Sequence, residues 1–469
     1  MRSSNRSFLP SERPFADMSQ HDDQKKKEND LPKVDFHKYR HLLANVSTYN
    51  IKGKVTELTG IVVRAVVPGV RIGELCFIIP HHGQAPIKSE VVGFRDQEVL
   101  LMPLGELEGI GLGNDVIPTG HVLTVRVGHG LLGRVLDGLG EPLDAETNGP
   151  LVFDEEYPVT ANPPKALKRE RVTKKLSVGI KAIDAMLTVG EGQRIGFFAA
   201  AGVGKSTLIG MIARNTEAEV NVICLVGERG REVRDFLEEA LGAEGLARSV
   251  VVVSTSDQPS LVRLKAAYVA TAIAEYFRDK GKKVMLMMDS ITRFARALRE
   301  VGLAVGEPPA RQGYTPSVFS TLPRLLERSG NSDKGSITAF YTILVAGDDM
   351  NEPVADESRS ILDGHIILSR ALATRGHYPA IDISESVSRV MDSIIDSDHR
   401  EAAIKLREVV ANYEKERDLI LIGAYEEGSD PKVDYAIEKI EEVNNFLKQD
   451  SDEKVDGEEA SQMLKDLFS

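Results

Sequence analysis

The run Ala199-Ala-Ala-Gly202-Val203-Gly204-Lys205-Ser206-Thr207 concentrates more chemistry than any other stretch of the chain. Its glycines let backbone N–H groups turn toward a chain of phosphates, and Lys205 can then reach the β and γ positions. A helical pattern begins there, and the partial positive charge of a helix N-terminus adds to the attraction. Ser206 suits Mg2+ as an oxygen ligand. The spacing is that of a P-loop, G-x-x-x-x-G-K-[ST], with one departure: Ala199 stands where the pattern asks for glycine. Gly202 restores flexibility inside the loop, so residues 202–207 are expected to bind a nucleotide.

Three further residues are candidates for phosphoryl transfer. Asp289 closes the apolar run 284–288, and beside a P-loop such an aspartate orients magnesium, often through water. By itself it would equally suit a cap on the following turn. Glu228 lies in Gly227-Glu228-Arg229-Gly230-Arg231-Glu232, directly after the apolar run 220–226, where a carboxylate can polarise the attacking water. Read alone, that charged run is also compatible with a solvated loop. Arg389, in Ser386-Val-Ser-Arg389-Val-Met, can supply positive charge as the transition state forms, or simply make a surface salt bridge.

The surrounding patterns state what must position these groups. Apolar strand-like runs at 194–198, 220–226, 250–254, 284–288 and 337–345 alternate with helical stretches at 206–214, 233–241 and 261–276. That alternation predicts an α/β core with a mostly parallel sheet, whose ligands bind beyond the carboxyl ends of the strands. Short β-branched runs at 54–67, 75–79, 90–94 and 98–102, punctuated by Gly and Pro, predict a small N-terminal β-barrel. After Asp392, two apolar stripes, one from Ile404 to Tyr413 and one from Val433 to Leu447, predict a helical domain with an acidic tail from about Asp450. The domain expectation is 1–48 (disordered tail and a short amphipathic helix), 49–120 (barrel), 121–391 (P-loop domain) and 392–469 (helical domain).

Bulk properties exclude several classes. A net charge of -13 argues against nucleic acid as the main partner, because phosphate contacts need clustered Lys and Arg. No apolar run approaches the length needed to cross a bilayer, and the polar start lacks a secretory signal, so a cytoplasmic location is expected. Cys76 and Cys224 sit in apolar stretches and read as small buried hydrophobes. His81, His82, His365 and His377 lack ligand partners at metal-binding spacing.

The segments around the P-loop, Glu228-Arg-Gly-Arg-Glu-Val233, Asp289-Ser-Ile-Thr-Arg-Phe-Ala295 and Tyr378-Pro-Ala-Ile-Asp-Ile-Ser-Glu-Ser386 resemble the catalytic subunits of rotary ATPases. Within that family the chain is most similar to type III secretion ATPases. That similarity is carried by Pro68-Gly-Val-Arg-Ile-Gly-Glu-Leu-Cys76, Gly313-Tyr-Thr-Pro-Ser-Val-Phe319, Leu322-Pro-Arg-Leu-Leu-Glu-Arg328 and Gly347-Asp-Asp-Met-Asn-Glu-Pro353. The resemblance implies a RecA-like P-loop core and ATP hydrolysis with Mg2+ in a homohexameric ring. Glu228 would be the catalytic carboxylate, Arg229 a charge partner, Lys205 and Ser206 the phosphate and magnesium ligands, and Asp289 a residue behind the metal. Tyr378 would wall the adenine, and Arg389 would be an arginine finger lent to the neighbouring subunit.

The resemblance also implies partners: a coiled-coil central stalk, a stator protein, chaperone-bound secretion substrates and the export gate at the inner membrane. Residues 311–320 and 347–353 would face the stalk, with Arg324 and Asp348 as contacts. Flagellar export is the nearest alternative function. A non-catalytic nucleotide-binding regulator is the alternative of another class, and Glu228 speaks against it.

Overall fold

Strand alternation in the first third of the chain places every second side chain inside a barrel. In the computed structural model, which describes residues 51–81, 83–345, 347 and 349–469, six antiparallel strands close on one another. They are β1 (Gly53–Thr59), β2 (Val62–Val66), β3 (Glu74–Ile79), β4 (Ile87–Arg95), β5 (Glu98–Pro103) and β6 (Asp115–Val122), in the order β1-β2-β5-β4-β3-β6. The run 54–67 is two strands, not one: Gly60 adopts φ 59° and folds β2 back on β1. Cys76 and Ile78 of β3 point into the barrel core with Val63, Ala65 and Leu101. The segment 1–48, His82 and Asp348 lie outside the described residues.

The central sheet follows. A hairpin-like pair, β7 (Thr124–Val127) and β9 (Glu155–Pro158), brackets β8 (Val135–Asp137). Then come β10 (Arg194–Ala199), β11 (Val220–Glu228), β12 (Ser249–Thr255), β13 (Lys283–Asp289), β14 (Gly330–Asn331), β15 (Ser336–Leu344), β16 (Gly364–Leu368) and β17 (Ile381–Ser388). The order is β17-β16-β10-β15-β13-β11-β12-β8, parallel except where β17 runs against β16 and β14 against β15. β11 is buried along its whole length: Val222, Cys224 and Val226 face one core, Ile223 and Leu225 the other. Strands covered on both faces read as continuous apolar runs, which is why these were legible. The edge strands β8 and β17, and β16 next to β17, carry no such run.

Helix α1 (Lys205–Asn215) follows the P-loop, α2 (Ser260–Asp279) follows β12, and α3 (Ile291–Ala304) follows β13. A buried ion pair ties barrel to core: Lys265 on α2 reaches Glu90 on β4 at 2.5 Å. The helical region contains α4 (Ser397–Leu421), α5 (Pro431–Leu447) and α6 (Gly457–Asp466). The expected acidic tail is thus partly a helix; Ala460 and Leu464 bury its inner face, a short period hidden by the surrounding acids. Ile404 and Ile437, read as stripe residues, are exposed.

Candidate active site

The sheet order brings three strand ends together. β10 ends in the P-loop, β13 in Asp289 and β11 in Glu228, and register keeps them level: Leu225 pairs with Asp289, and Met288 with Tyr341 of the intervening β15. Gly202 and Gly204 take φ of 82° and 86°, left-handed values that suit glycine and turn the loop into α1. Lys205 leads that helix, and its ammonium group is ion-paired with Asp289 and lies 3.9 Å from Glu228 Oε1. Ser206 and Thr207 are exposed at the helix start.

Asp289 is 4% exposed, and its Oδ1 accepts a 2.7 Å hydrogen bond from Thr342 of β15. Glu228 sits past a bulge between Val226 and Glu228, a local irregularity that re-aims a side chain at a strand end. Its Oε2 lies 3.2 Å from Arg293 Nη2 on α3, whose N-cap Ser290 accepts from Arg293 N. Burial pushes the Glu228 carboxyl up, to about 7; the Asp289 charge and a hydrogen bond with Glu232 add to the rise, while Lys205 and Arg293 oppose it. A carboxylate ionising near neutrality is matched to general-base work.

Beside the loop, a cavity of about 430 Å3 is lined by Gly202, Gly204, Thr207, Leu208, Met211, Tyr378, Pro379, Gln449, Asp450 and Ser451. The Tyr378 ring stands close enough to the loop that a Cβ on Gly204 would lie 3.4 Å from it. Gln449 is a buried hub: its N–H donates to Tyr378 O at 3.0 Å, its Oε1 accepts from Lys181 N at 2.8 Å, and its Nε2 donates to Gly179 O at 2.9 Å. The helical region therefore supplies one wall of this cavity.

Two expected site residues stand elsewhere. Arg229 points into solvent and pairs with Glu232 at 3.0 Å, so the cations beside Glu228 are Arg293 and Lys205 instead. Arg389 is exposed at the far end of β17, level with the start of β10: its N–H donates to Asp363 O, and Asp363 N donates to Arg194 O. Arg194 and Ala199 are five residue steps apart, roughly 17 Å of strand, which is beyond the reach of one arginine side chain. Arg293 was legible one helical turn past Asp289 within a segment already noted. Thr342 and Gln449 carry no local signal and come together only through the fold.

The chain matches three domain families in succession. The ATP synthase alpha/beta family beta-barrel domain covers residues 55–120, the nucleotide-binding domain of that family 179–388, and the T3SS EscN ATPase C-terminal domain 395–466. It is 55% identical over 424 residues to the flagellum-specific ATP synthase of Bacillus subtilis, spanning 90% of this chain and 96% of that one. It is 52% identical over 411 residues to the type 3 secretion system ATPase of Xanthomonas euvesicatoria, spanning 88% and 92%. The assembled ATPase EscN of the enteropathogenic E. coli type III secretion system superposes with a TM-score of 0.83 at 44% identity, over 89% of this chain and 100% of that one. EscN in complex with its central stalk EscO gives 0.82 at 45% identity, with the same coverage.

Proposed function

This chain belongs to the family of type III secretion and flagellum-specific ATPases and hydrolyses ATP; from that premise we propose that it works as a homohexameric ring powering protein export. The observation that carries the ring is the separation of Arg389 from its own P-loop across the length of β10. A site holding Lys205, Glu228 and Asp289 is complete only when a neighbour presents its arginine. One chain carries both halves, so identical subunits suffice.

The P-loop amides and Lys205 hold the phosphates, with the adenine against Tyr378. Once substrate phosphates claim Lys205, its pairing with Asp289 gives way to one with the nucleotide. Glu228, ionised and steered by Arg293, orients water toward the γ-phosphate, and Arg389 of the neighbour offsets the charge that develops there. The exposed Ser206 hydroxyl and the Asp289 carboxylate behind it fit Mg2+, which prefers oxygen ligands and takes few from protein. Bound there, Mg2+ would neutralise phosphate charge.

The partners of this reading are a coiled-coil central stalk, a stator, chaperone-bound substrates and the export gate, met from the cytoplasm at the inner membrane. Among the described residues no helix is long and apolar enough to cross a membrane. The exposed Arg324 and residues 311–320, a turn that leads into the helix Pro316–Leu326 rather than a loop throughout, are proposed stalk contacts, as is Asp348. Residues 68–76 favour an injectisome; the 55% identity to a flagellum-specific relative favours flagellar export as a second reading. Deleting the gene and scoring effector secretion beside motility separates them. Lost secretion with normal motility supports the injectisome, and the reverse supports the flagellum.

A further inference from the structure

Arg389 is held by a well-braced foothold at the end of the strands away from the P-loop. The Asp363 carboxylate is gripped by Arg194 through Nε–Oδ2 at 3.0 Å and Nη2–Oδ1 at 3.1 Å, and it also accepts from Arg194 N at 3.1 Å. The Asp363 carbonyl accepts from Arg389 N at 3.0 Å. Buried Gln193 donates to that same carbonyl and to Ser388 Oγ, each at 3.1 Å. Next in sequence, Gly364 leaves no room for a side chain: a Cβ there would lie 2.6 Å from Val387 O. Glu327 closes the far side of the Arg194 guanidinium at 2.5 Å.

None of these groups is near this chain's own P-loop, and Arg389 itself is exposed. A two-point guanidinium grip is geometrically exacting, and one end of it sets the backbone of Arg389, whose exposed guanidinium donates through Nη2 to Arg359 O at 3.2 Å. We propose that Asp363 is the positioning residue of the arginine finger: clamped by Arg194, it fixes the place at which Arg389 is presented to the neighbouring subunit. This rests on the reading that Arg389 is lent to that neighbour. The clamp and the protomer's own P-loop occupy opposite ends of one strand, β10.

Asp363→Asn keeps shape and removes the charge that Arg194 grips. Turnover should fall about 10- to 100-fold, the scale of a misplacement of about 1 Å, while KM for ATP stays within about 2-fold. Arg194→Gln opens the clamp from the other side and should behave alike. Mixing variants before assembly separates positioning from damage. Asp363→Asn subunits keep an intact Glu228 and Glu228→Gln subunits an intact finger, so roughly a quarter of random interfaces become complete and activity should exceed that of either parent.

Arg389→Ala mixed with Glu228→Gln should recover in the same way, and Asp363→Asn mixed with Arg389→Ala should not. Recovery with Arg389→Ala but none with Asp363→Asn or Arg194→Gln would overturn the role of Asp363 and leave the finger standing. Absence of recovery for Arg389→Ala with Glu228→Gln removes the finger, and this proposal with it.

Discussion

Raising pH through neutrality should switch on the base. Glu228 is held near 7 first by burial, then by the Asp289 charge and the Glu232 hydrogen bond. With its ionisation centred at about 7, kcat/KM for ATP should reach about a tenth of its plateau at pH 6, about half at pH 7 and about nine-tenths at pH 8. An ordinary carboxylate would give a flat profile over that range. The assay is phosphate release at low ATP, with Mg2+ in excess so that the nucleotide's own ionisation falls below the window. Two variants should move the limb in opposite directions. Arg293→Gln removes a cation that favours the charged form, so the limb moves to higher pH. Glu232→Gln turns a partner that favours the protonated form into an amide donor, so the limb moves lower. The folded chain holds this proton more tightly than the unfolded one, so the Glu228 contribution to stability is present at low pH. It is lost as pH rises from the ordinary carboxylate range through about 7. A flat profile from pH 6 to 8, or both variants shifting the same way, would refute the reasoning.

Tyr378→Ala should raise KM for ATP by about 10- to 100-fold, the worth of one aromatic–base stack, with kcat nearly unchanged; steady-state kinetics reads both. Arg328→Met should lower folding stability by ~3–5 kcal/mol in denaturant titration. Arg328 is 1% exposed and grips Glu275 through bonds of 2.9 and 2.6 Å, so its loss leaves an unpaired buried carboxylate. Unchanged stability would mean that water or a neighbour compensates.

What was legible in the sequence follows from what is local. The P-loop could be read because its backbone, lysine and serine lie within nine consecutive residues, and Glu228 and Asp289 because each ends an apolar run. Strands buried on both faces declared themselves, whereas β17 at the sheet edge and its neighbour β16, both partly exposed, did not. Thr342 and Gln449 reach the site from separate elements, through contacts such as the Thr342 bond to Asp289 that no spacing rule encodes. The Asp363–Arg194 clamp spans 169 residues and was likewise invisible. Arg229 was assigned by adjacency to Glu228, but successive residues past a strand end face different ways, and the helix that begins at Gly230 turns it to solvent.

The shared site is tested most directly by specific ATPase activity against protein concentration, for the wild type, Arg389→Ala and Glu228→Gln, with nucleotide binding followed in parallel. Wild-type activity per subunit should climb with concentration as rings form. Both variants should still bind ATP, and Arg389→Ala should lose on the order of 10^3-fold in turnover. Wild-type turnover by Arg389→Ala, or full activity in isolated monomers, would contradict the account.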